Sequence, residues 1–550
     1  MSARAVVTAV CAALLGAFVV LPLGLVAARG LADGADALSD LARGPGAAAL
    51  WNSLIVASGA AALALAFGAP LGAALARLPL RGGKVLGTLL VLPLAAPSYV
   101  WAMAWIALAA PRGGWLNRLA AALGHPAPLV DIYGLAGIAF VEGLALAPLV
   151  LLPTRAALET ADPALEEAAR ISGASPLRAF VTGSAPLAAP AVASGTLLAF
   201  LAAVSSFGVP YLLGVAAVHP RLVATTRIYQ ALSLGGERDV RSALALGLVL
   251  LALAVVAQAL SSRLARARPS TGGKGRRPAK LAAPALTRAL TLLGWAYAFV
   301  AVLVPVGATV LAAFTRRFGD APGRANLTTA QFANVLGKAD VREALVRSAA
   351  LATLAAFVVV GVSAALGFVR RTRAGRGLAR LGEAPYAVPG SVLALALLLA
   401  FSQQVRLVIA GRVALVFDVA GTLWLLAIAY AVKHLAFGIR AVGDALRAQD
   451  PALEEAARLS GAGPARAFID VALPLARPAL AAAFILVFLP SATELTMSVL
   501  LAGPRSQVLG TVLFDLASYA DPPSGAVLAC VVLALAAAAD VTLRKLGAAS

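Results

Sequence analysis

The sequence predicts an all-α integral membrane protein with about 12 transmembrane helices in two homologous halves. Of its 550 residues, 61% are apolar and 13% are charged, whereas soluble domains average about 25% charged residues. The apolar residues form runs of about 20, the length at which a helix crosses the hydrocarbon core. The phrase DPALEEAAR, which begins at Asp162 and again at Asp450, indicates an internal duplication.

The apolar runs predict six spans on each side of a basic segment. The expected spans lie near 5–28, 50–76, 86–110, 134–154, 187–206, 241–262, 289–313, 345–369, 384–402, 418–438, 475–498 and 523–543. The segment at 263–288 holds eight Lys and Arg and no acid, a composition typical of a solvated linker. The first run is longer than the apolar region of a signal peptide and lacks a clear cleavage site before Arg29, so we interpret it as a retained span.

The net charge of +20 does not indicate a nucleic-acid partner. The basic residues lie in short segments between apolar runs, where positive charge sets membrane orientation. With the N-terminus in the cytoplasm, the basic segments at 77–84, 263–288 and 370–380 and the C-terminal tail all fall on the cytoplasmic side; the loop at 314–343, with five bases against three acids, is an exception. This orientation also places both copies of the repeated phrase in the cytoplasm.

The repeated phrase predicts a helical elbow at the membrane surface. Asp162–Phe180 and Asp450–Phe468 agree at 16 of 19 positions. In each copy an Asp-Pro pair can begin a helix, strong helix formers follow, and a glycine, Gly173 or Gly461, ends it. An amphipathic helix that only anchors its neighbouring spans is the alternative. Two near-identical loops between divergent spans favour a surface that docks on another protein.

This loop resembles the signature of ABC importer permeases, the binding-protein-dependent inner-membrane components. The signature runs Glu-Ala-Ala, three residues, Gly, nine residues, an aliphatic residue, one residue, Leu-Pro. The second copy matches it throughout, at Glu455, Ala456, Ala457, Gly461, Val471, Leu473 and Pro474; the first matches at Glu167, Ala168, Ala169, Gly173 and Pro186. Gly183 and Ala185 replace the aliphatic residue and the leucine there, so we expect looser packing at the second helix of that copy.

The resemblance implies that each elbow is a coupling helix that fits a cleft on a cytoplasmic ATPase. Because the elbows nearly coincide in sequence, two copies of one ATPase are expected, with a periplasmic binding protein delivering substrate on the opposite side of a bacterial inner membrane. The expected coupling residues are Glu166, Glu167, Ala168, Ala169, Gly173, Pro186, Glu454, Glu455, Ala456, Ala457, Gly461 and Pro474.

The domains expected from this resemblance follow the spans. They are a first helix and periplasmic loop at 1–49, a first permease repeat at 50–262, a basic linker at 263–288, a seventh helix and periplasmic loop at 289–342, a second permease repeat at 343–543 and a cytoplasmic tail at 544–550. Residues Ser206–Gly214 (SFGVPYLLG) and Thr225–Tyr229 (TTRIY) resemble the ferric-iron group of these permeases, which has thiamine- and phosphonate-type relatives.

The sequence carries no pattern for chemistry of its own. None of the six lysines follows the glycine-rich arrangement that cradles phosphate, so the ATPase is expected to be a separate subunit. Cys11 and Cys530 lie in apolar runs and the three histidines are scattered, so no disulfide and no metal site are predicted. We expect no catalytic residue and no bound cofactor in this chain.

Ionisable residues inside predicted spans are candidates for the translocation pathway, because their burial in a membrane is costly. Glu494 ranks first: it follows Pro490 and aligns with Ser206 in the repeat. Ser206 and Glu142 are the other two candidates. The alternative for Glu494 is a hydrogen-bonded acid that packs helices together. Lys433 is expected to extend towards the cytoplasmic surface.

These observations predict a permease that imports ferric iron, with thiamine, a phosphonate or a polyamine as alternative substrates. A secondary transporter of two parallel six-helix halves would have the same layout. Such a carrier has no reason to duplicate a docking elbow. A membrane scaffold or sensor would leave the buried acids unexplained.

Overall fold

The computed structural model describes residues 3–546 except 33, 127, 216, 218, 267–277, 321–322, 403–404, 410–411 and 519–520. The predicted linker at 263–288 and tail at 544–550 fall partly on 267–277 and 547–550, which lie outside the described residues. The rest of the chain is almost wholly helical.

Each of the twelve predicted spans coincides with one long helix or with one bent pair of helices. In chain order they are α1 (Ala3–Ala32), α2 (Pro45–Arg77), α3 (Gly83–Leu94 and Ser98–Ala109), α4 (Leu135–Glu159), α5 (Pro176–Ser205), α6 (Glu237–Leu264), α7 (Pro284–Ala313), α8 (Ala339–Val369), α9 (Arg373–Tyr386 and Gly390–Phe401), α10 (Leu423–Ala448), α11 (Pro464–Leu475 and Arg477–Ala492) and α12 (Pro522–Lys545). The predicted all-α membrane fold is confirmed over the described residues, with one addition. A short antiparallel hairpin, Val405–Ile409 with Arg412–Phe417, follows α9.

Shorter helices connect the spans. They are Gly34–Arg43, Trp115–Ala122, Ala164–Ile171, Gly208–Pro210, Tyr211–Val215, Ala224–Leu234, Ala330–Gly337, Pro451–Leu459, Thr496–Leu501 and Leu509–Ser518. Two of them, Ala164–Ile171 and Pro451–Leu459, belong to the repeated phrase.

The third and ninth spans are bent where the sequence repeats a Pro-x-x-x-Pro frame. The two arms of α3 meet at 98° and those of α9 at 111°. Pro97 and Pro389 adopt extended backbone angles at the start of the second arms, since proline lacks an N–H and disfavours helix in the residue before it. The spans expected near 86–110 and 384–402 are therefore each formed by two arms that meet at a bend.

Each half has a three-helix core. In the first half α2, α4 and α5 pack against one another, and in the second half α8, α10 and α11 do so. Small residues allow this close approach: a Cβ atom on Gly72 of α2 would lie 2.6 Å from the carbonyl oxygen of Leu151 in α4.

The first helix of each half packs on the other half. Helix α1 lies against α8 and α9, and α7 lies against α2 and α3. The Tyr297 hydroxyl of α7 donates to the Leu144 carbonyl of α4 at 2.6 Å, and the rings of Phe18 and Phe401 stack with centroids 6.0 Å apart. The two halves are therefore interlocked, which the sequence did not predict.

Both copies of the repeated phrase lie at one end of the bundle. The last residue of α2, Arg77, bonds the first copy, and Arg371, just after α8, bonds the second. Arg544 at the end of α12 reaches Thr88 near the start of α3 at 3.2 Å. The end of the linker is at this end too, because Lys280 donates to two carbonyls at the end of α2, both at 2.9 Å.

Candidate coupling elbows and central cavity

We name Asp162–Phe180 elbow 1 and Asp450–Phe468 elbow 2. Each begins with an aspartate whose Oδ1 accepts a hydrogen bond from the backbone N–H two residues later. The distance is 2.9 Å at Asp162 and 2.9 Å at Asp450. This satisfies one of the N–H groups that a helix start leaves without a partner. The predicted capping role of both aspartates is confirmed.

A left-handed glycine ends the first helix of each elbow. Gly173 has a φ of 88° and Gly461 a φ of 89°. The next residue donates back across the turn, from Ala174 to the Ala169 carbonyl at 3.0 Å and from Ala462 to the Ala457 carbonyl at 3.1 Å. This is the Schellman turn, which requires the left-handed conformation that glycine adopts without strain.

The outer face of each elbow presents an aliphatic side chain to solvent. Ile171 is 89% exposed and its repeat equivalent, Leu459, is 90% exposed. Of the predicted coupling residues, Glu167, Ala168, Gly173 and Pro186 in the first half and Glu455, Ala456 and Gly461 in the second are also exposed, whereas Ala169, Ala457 and Pro474 are half-buried. Leu165 and Leu177 are exposed on elbow 1 as well, and Leu453 on elbow 2; several exposed apolar residues on one short segment are typical of a protein-binding surface.

Elbow 1 is fixed to the bundle by a buried ion pair. Glu166 receives two hydrogen bonds of 2.6 Å from the guanidinium of Arg77, which is 2% exposed, and a third from the Ser184 hydroxyl. The Arg77 guanidinium also lies 5.3 Å from the centre of the Phe180 ring. Glu166, which was expected among the coupling residues, therefore faces the bundle.

The electrostatics of Glu166 follow from this pocket. Burial raises the pKa of the carboxyl, but the hydrogen bonds from Arg77 and Ser184 and the charges of Arg77 and Arg170 together hold its pKa below the ordinary value. Glu166 is therefore ionised at neutral pH, which is the state that a bidentate arginine contact requires.

Elbow 2 has a looser attachment at the equivalent place. Arg371 Nη1 lies 3.2 Å from Glu454 Oε2, and the arginine side chain is 52% exposed. Ala472 stands where Ser184 stands in the first half. Gly183, where the signature has an aliphatic residue, leaves room for a Cβ atom at an ordinary contact distance of 3.5 Å from Glu166 Cγ.

The helices that leave the elbows also differ. After elbow 1, α5 is one helix of 30 residues, whereas after elbow 2, α11 bends by 72° between Leu475 and Arg477. The bend follows Leu473 and Pro474, which are the last two residues of the signature. The first copy keeps only the proline of this pair.

A central cavity of about 550 Å³ lies between the two halves. Its wall includes the bends of α3 and α9, the end of α5 and parts of α11 and α12. Two of the predicted pathway residues, Ser206 and Glu494, line it. The third, Glu142, is buried behind the wall and accepts a hydrogen bond from the Ser206 hydroxyl. The three predicted residues are therefore close to one another.

Glu494 also has a structural role. Its Oε2 accepts hydrogen bonds from the backbone N–H groups of Met497 at 2.8 Å and Ser498 at 3.0 Å, so it caps the short helix Thr496–Leu501. Glu494 therefore lines the cavity and also orders the chain beside it.

Lys433 and His434 of α10 bond within the bundle. Lys433 Nζ donates to the Val388 carbonyl at 2.5 Å and to the Tyr386 carbonyl at 3.4 Å, both at the bend of α9. His434 Nδ1 lies 3.0 Å from the Ser491 hydroxyl. The lysine therefore satisfies carbonyls at the bend instead of extending to the membrane surface as predicted. Among the residues that the structure describes, no three His, Cys, Asp or Glu side chains meet where a metal ion could bind.

The two motifs after elbow 1 meet in an aromatic cluster. Phe207 and Tyr211 belong to SFGVPYLLG and Tyr229 to TTRIY; their ring centroids lie 5.5 to 5.8 Å apart. Phe514 of the second half completes the cluster, 4.3 Å from Tyr211. No local pattern marked Phe514, because its partners are far away in sequence.

Comparison with known proteins agrees with this architecture. Residues 68–268 and 357–548 each match the family described as binding-protein-dependent transport system inner membrane component. A probable ABC transporter permease protein (y4fN) from Sinorhizobium fredii is 29% identical over 505 residues, which is 90% of this chain and 86% of the relative.

Two further relatives have names that include a substrate. A putative 2-aminoethylphosphonate transport system permease protein from Salmonella choleraesuis is 30% identical over 33% of this chain and 65% of its own length. A putative ferric transport system permease protein from Haemophilus influenzae is 25% identical over 76% of this chain and 64% of its own length. The two family matches together cover more than half of the chain, which therefore belongs to the family of binding-protein-dependent transport system inner membrane components and carries the family domain twice.

Proposed function

We propose that this chain forms the translocation pathway of an ABC importer in a bacterial inner membrane, and that elbows 1 and 2 each dock one copy of the same cytoplasmic ATPase. The near-identity of the two outer surfaces carries this proposal. Equivalent side chains agree in exposure to within one per cent, at Ile171 and Leu459, and the two glycine turns agree in φ to within one degree. A single partner type would fit both surfaces.

The arrangement indicates how such a partner acts. ATP binding would bring the two ATPases together and move the elbows with them. Because α1 and α7 each pack on the opposite half, movement of one half would carry a helix of the other. The central cavity lies between the moving parts, so its access would alternate between the two sides. The partner biases an equilibrium between two arrangements of the same bundle.

Ferric iron is the proposed substrate. The relative named for ferric transport aligns with 76% of this chain, more than one six-helix half. 2-Aminoethylphosphonate is the second candidate, because the Salmonella permease is named for its transport. Thiamine and polyamines complete the set to be tested.

The docking proposal is tested on the elbow tips. Ile171→Asp and Leu459→Asp each place a polar side chain at a solvent-exposed position, so folding should be unaffected. Each change should weaken ATPase binding by roughly tenfold, because an interface anchor contributes about 1–2 kcal/mol or more. Ile171→Leu and Leu459→Ile are the matched controls and should bind as the wild type does.

Native mass spectrometry of the purified complex gives the stoichiometry, and ATPase stimulation gives the coupling. Two identical ATPase subunits for each permease chain are expected. Full stimulation by the double Asp variant would contradict docking at the elbows.

The substrate is tested by deleting the gene and measuring uptake of radioactive iron beside growth on 2-aminoethylphosphonate as the phosphorus source. Loss of iron uptake alone, restored by the wild-type gene, is the expected result. Loss of phosphonate growth with normal iron uptake would replace ferric iron by the second candidate.

A further inference from the structure

A second cavity, of about 490 Å³, lies beside elbow 2 at the elbow end of the bundle. We call it the arginine cavity. Six arginines line it: Arg4, Arg370, Arg371, Arg376, Arg380 and Arg447. They come from the start of α1, the loop after α8, the first arm of α9 and the end of α10. Only two carboxylates, Glu383 and Glu454, stand among the lining residues.

The protein does not neutralise this charge. Glu454 pairs with Arg371, and Glu383 pairs with Arg440, which is outside the lining. Arg447 pairs with Asp444. The other four, namely Arg4, Arg370, Arg376 and Arg380, form no ion pair with any residue that the structure describes.

Two observations favour an anion as the ligand of these arginines. Arg4 Nε is buried without a hydrogen-bond partner among the described residues. Burial lowers the pKa of the Arg370 guanidinium and the charge of Arg447 lowers it further, against an opposing contribution from Glu383. A phosphate group would satisfy these donors, because guanidinium groups bind phosphate oxygens in a bidentate geometry.

An apolar groove of about 260 Å³ runs along three of the same helices, α1, α8 and α10. All of its lining residues are apolar, among them Leu14 of α1, Val358 of α8 and Ala431 of α10. On α10, Leu435 lines the groove and Gly443 lines the arginine cavity, and eight helical residues span roughly 12 Å. The groove therefore lies deeper in the membrane than the cavity, along the direction in which an acyl chain extends from its headgroup.

We propose that an anionic phospholipid binds here, with its phosphate in the arginine cavity and one acyl chain in the apolar groove. Basic pockets between transmembrane helices recognise lipid headgroups by this chemistry. The bound phosphate would lie next to Arg371 and so next to the attachment of elbow 2. The corresponding ion pair of elbow 1, between Arg77 and Glu166, is closed and buried, so the site belongs to the second half alone.

The test uses the full chain, purified in detergent and offered equal amounts of phosphatidylglycerol and phosphatidylcholine with identical acyl chains. Native mass spectrometry should show roughly tenfold preferential retention of phosphatidylglycerol, or about 1.4 kcal/mol. Both lipids carry the phosphate, but phosphatidylcholine adds a trimethylammonium group that the arginines of the cavity repel. The variant with Arg370→Gln and Arg380→Gln should lose this preference. The variant with Arg81→Gln and Lys84→Gln removes the same charge from exposed positions just before and at the start of α3 and should keep the preference.

Two further measurements, one with inorganic phosphate and one with a variant whose apolar groove is filled, distinguish a bound lipid from a free anion. The Ala431→Trp variant fills the groove and should retain less phosphatidylglycerol, while stabilisation by inorganic phosphate stays unchanged. Stabilisation by phosphate without any preference between the two lipids would overturn the lipid proposal and leave a free-anion site. Equal retention of both lipids by the wild type, with no response to phosphate, would overturn the site itself. Both of these results are measured on the wild-type protein, so neither requires a variant to fold.

Discussion

Elbow 1 and elbow 2 have the same outer surface and different attachments. Outside, the glycine turns agree in φ to within one degree and the aliphatic tips Ile171 and Leu459 agree in exposure to within one per cent. Inside, a buried arginine holds Glu166 through two short bonds, whereas a half-exposed arginine holds Glu454 through one longer contact. The duplication has therefore preserved what a partner would touch and let the connection to the bundle diverge.

This difference indicates that the two attachments can be changed separately. A partner that meets both elbows would find nearly identical surfaces. The force it applies would pass into the first half through a closed ion pair and into the second through a looser one. Four experiments test this comparison.

The largest effect is expected from Arg77→Met. It leaves the Glu166 carboxylate buried without its partner, and breaking a buried pair on one side costs about 3–5 kcal/mol. The matched change Arg371→Met removes a partly exposed partner and should cost about 0–1 kcal/mol. Thermal unfolding in detergent measures both. Equal losses for the two variants would remove the distinction between the attachments.

The glycine turns should be equally sensitive in both elbows. Valine in the left-handed conformation costs about 1–2 kcal/mol or more, so Gly173→Val and Gly461→Val should each distort the elbow and abolish ATPase stimulation while membrane insertion stays normal. Gly463→Ala is the control, because that residue has a φ of −66° and open space at its Cβ position. Full transport by either valine variant would rule out a coupling role for that elbow.

Acid should release elbow 1 only at low pH. Because the pKa of Glu166 is below its ordinary value of 4.5, its ion pair contributes stability at neutral pH that is lost as the pH falls through the lowered value. Limited proteolysis of elbow 1, with an acid-tolerant protease, should stay constant from pH 7 to about pH 4.5 and accelerate below it. The Arg77→Met variant should lack this threshold. Acceleration already near pH 6 in the wild type would show that the pair is not closed.

The smallest effect is expected from exchanging the outer segments. In this variant the stretches 167–175 and 455–463 change places, while Glu166, Glu454 and both attachments are kept. Transport should stay within about twofold of the wild type, because the exchanged surfaces are expected to contribute equal binding free energy. Uptake by cells that carry the exchanged gene measures it. An inactive but correctly inserted chimera would show that the two docking surfaces are not equivalent.

The spans and elbows were predictable because their signals are local. Twenty apolar residues in a row need no distant partner to predict a helix, and an aspartate, a run of helix formers and a glycine define the elbow within a dozen residues. The Pro-x-x-x-Pro frame is also a local pattern. It does not predict that α3 and α9 bend by about a right angle, because the bend depends on how the arms pack.

The remaining features depend on contacts between distant parts of the chain. Arg77 looked like one of several charges that set orientation, but Glu166 lies 89 residues away and closes a buried pair with it. Phe514 joins the aromatic cluster from the other half, and the interlocking of α1 and α7 has no periodic signature. Such pairings are set by the assembled core, so a pattern read along one segment does not contain them.

The end of the linker is hydrogen-bonded to the first half. Leu281 donates its N–H to the Arg77 carbonyl at 2.7 Å, Arg77 Nη2 donates to the Ala279 carbonyl at 3.3 Å, and Lys280 spans two more carbonyls. The Arg77 Nη2 atom thus bonds both Glu166 of elbow 1 and the chain that enters α7. A movement of elbow 1 would reach the seventh helix through this guanidinium and through Phe180, which packs in one apolar cluster with Leu281, Leu286 and Leu290. The fused chain therefore has a mechanical linkage that two separate subunits would have to form across an interface.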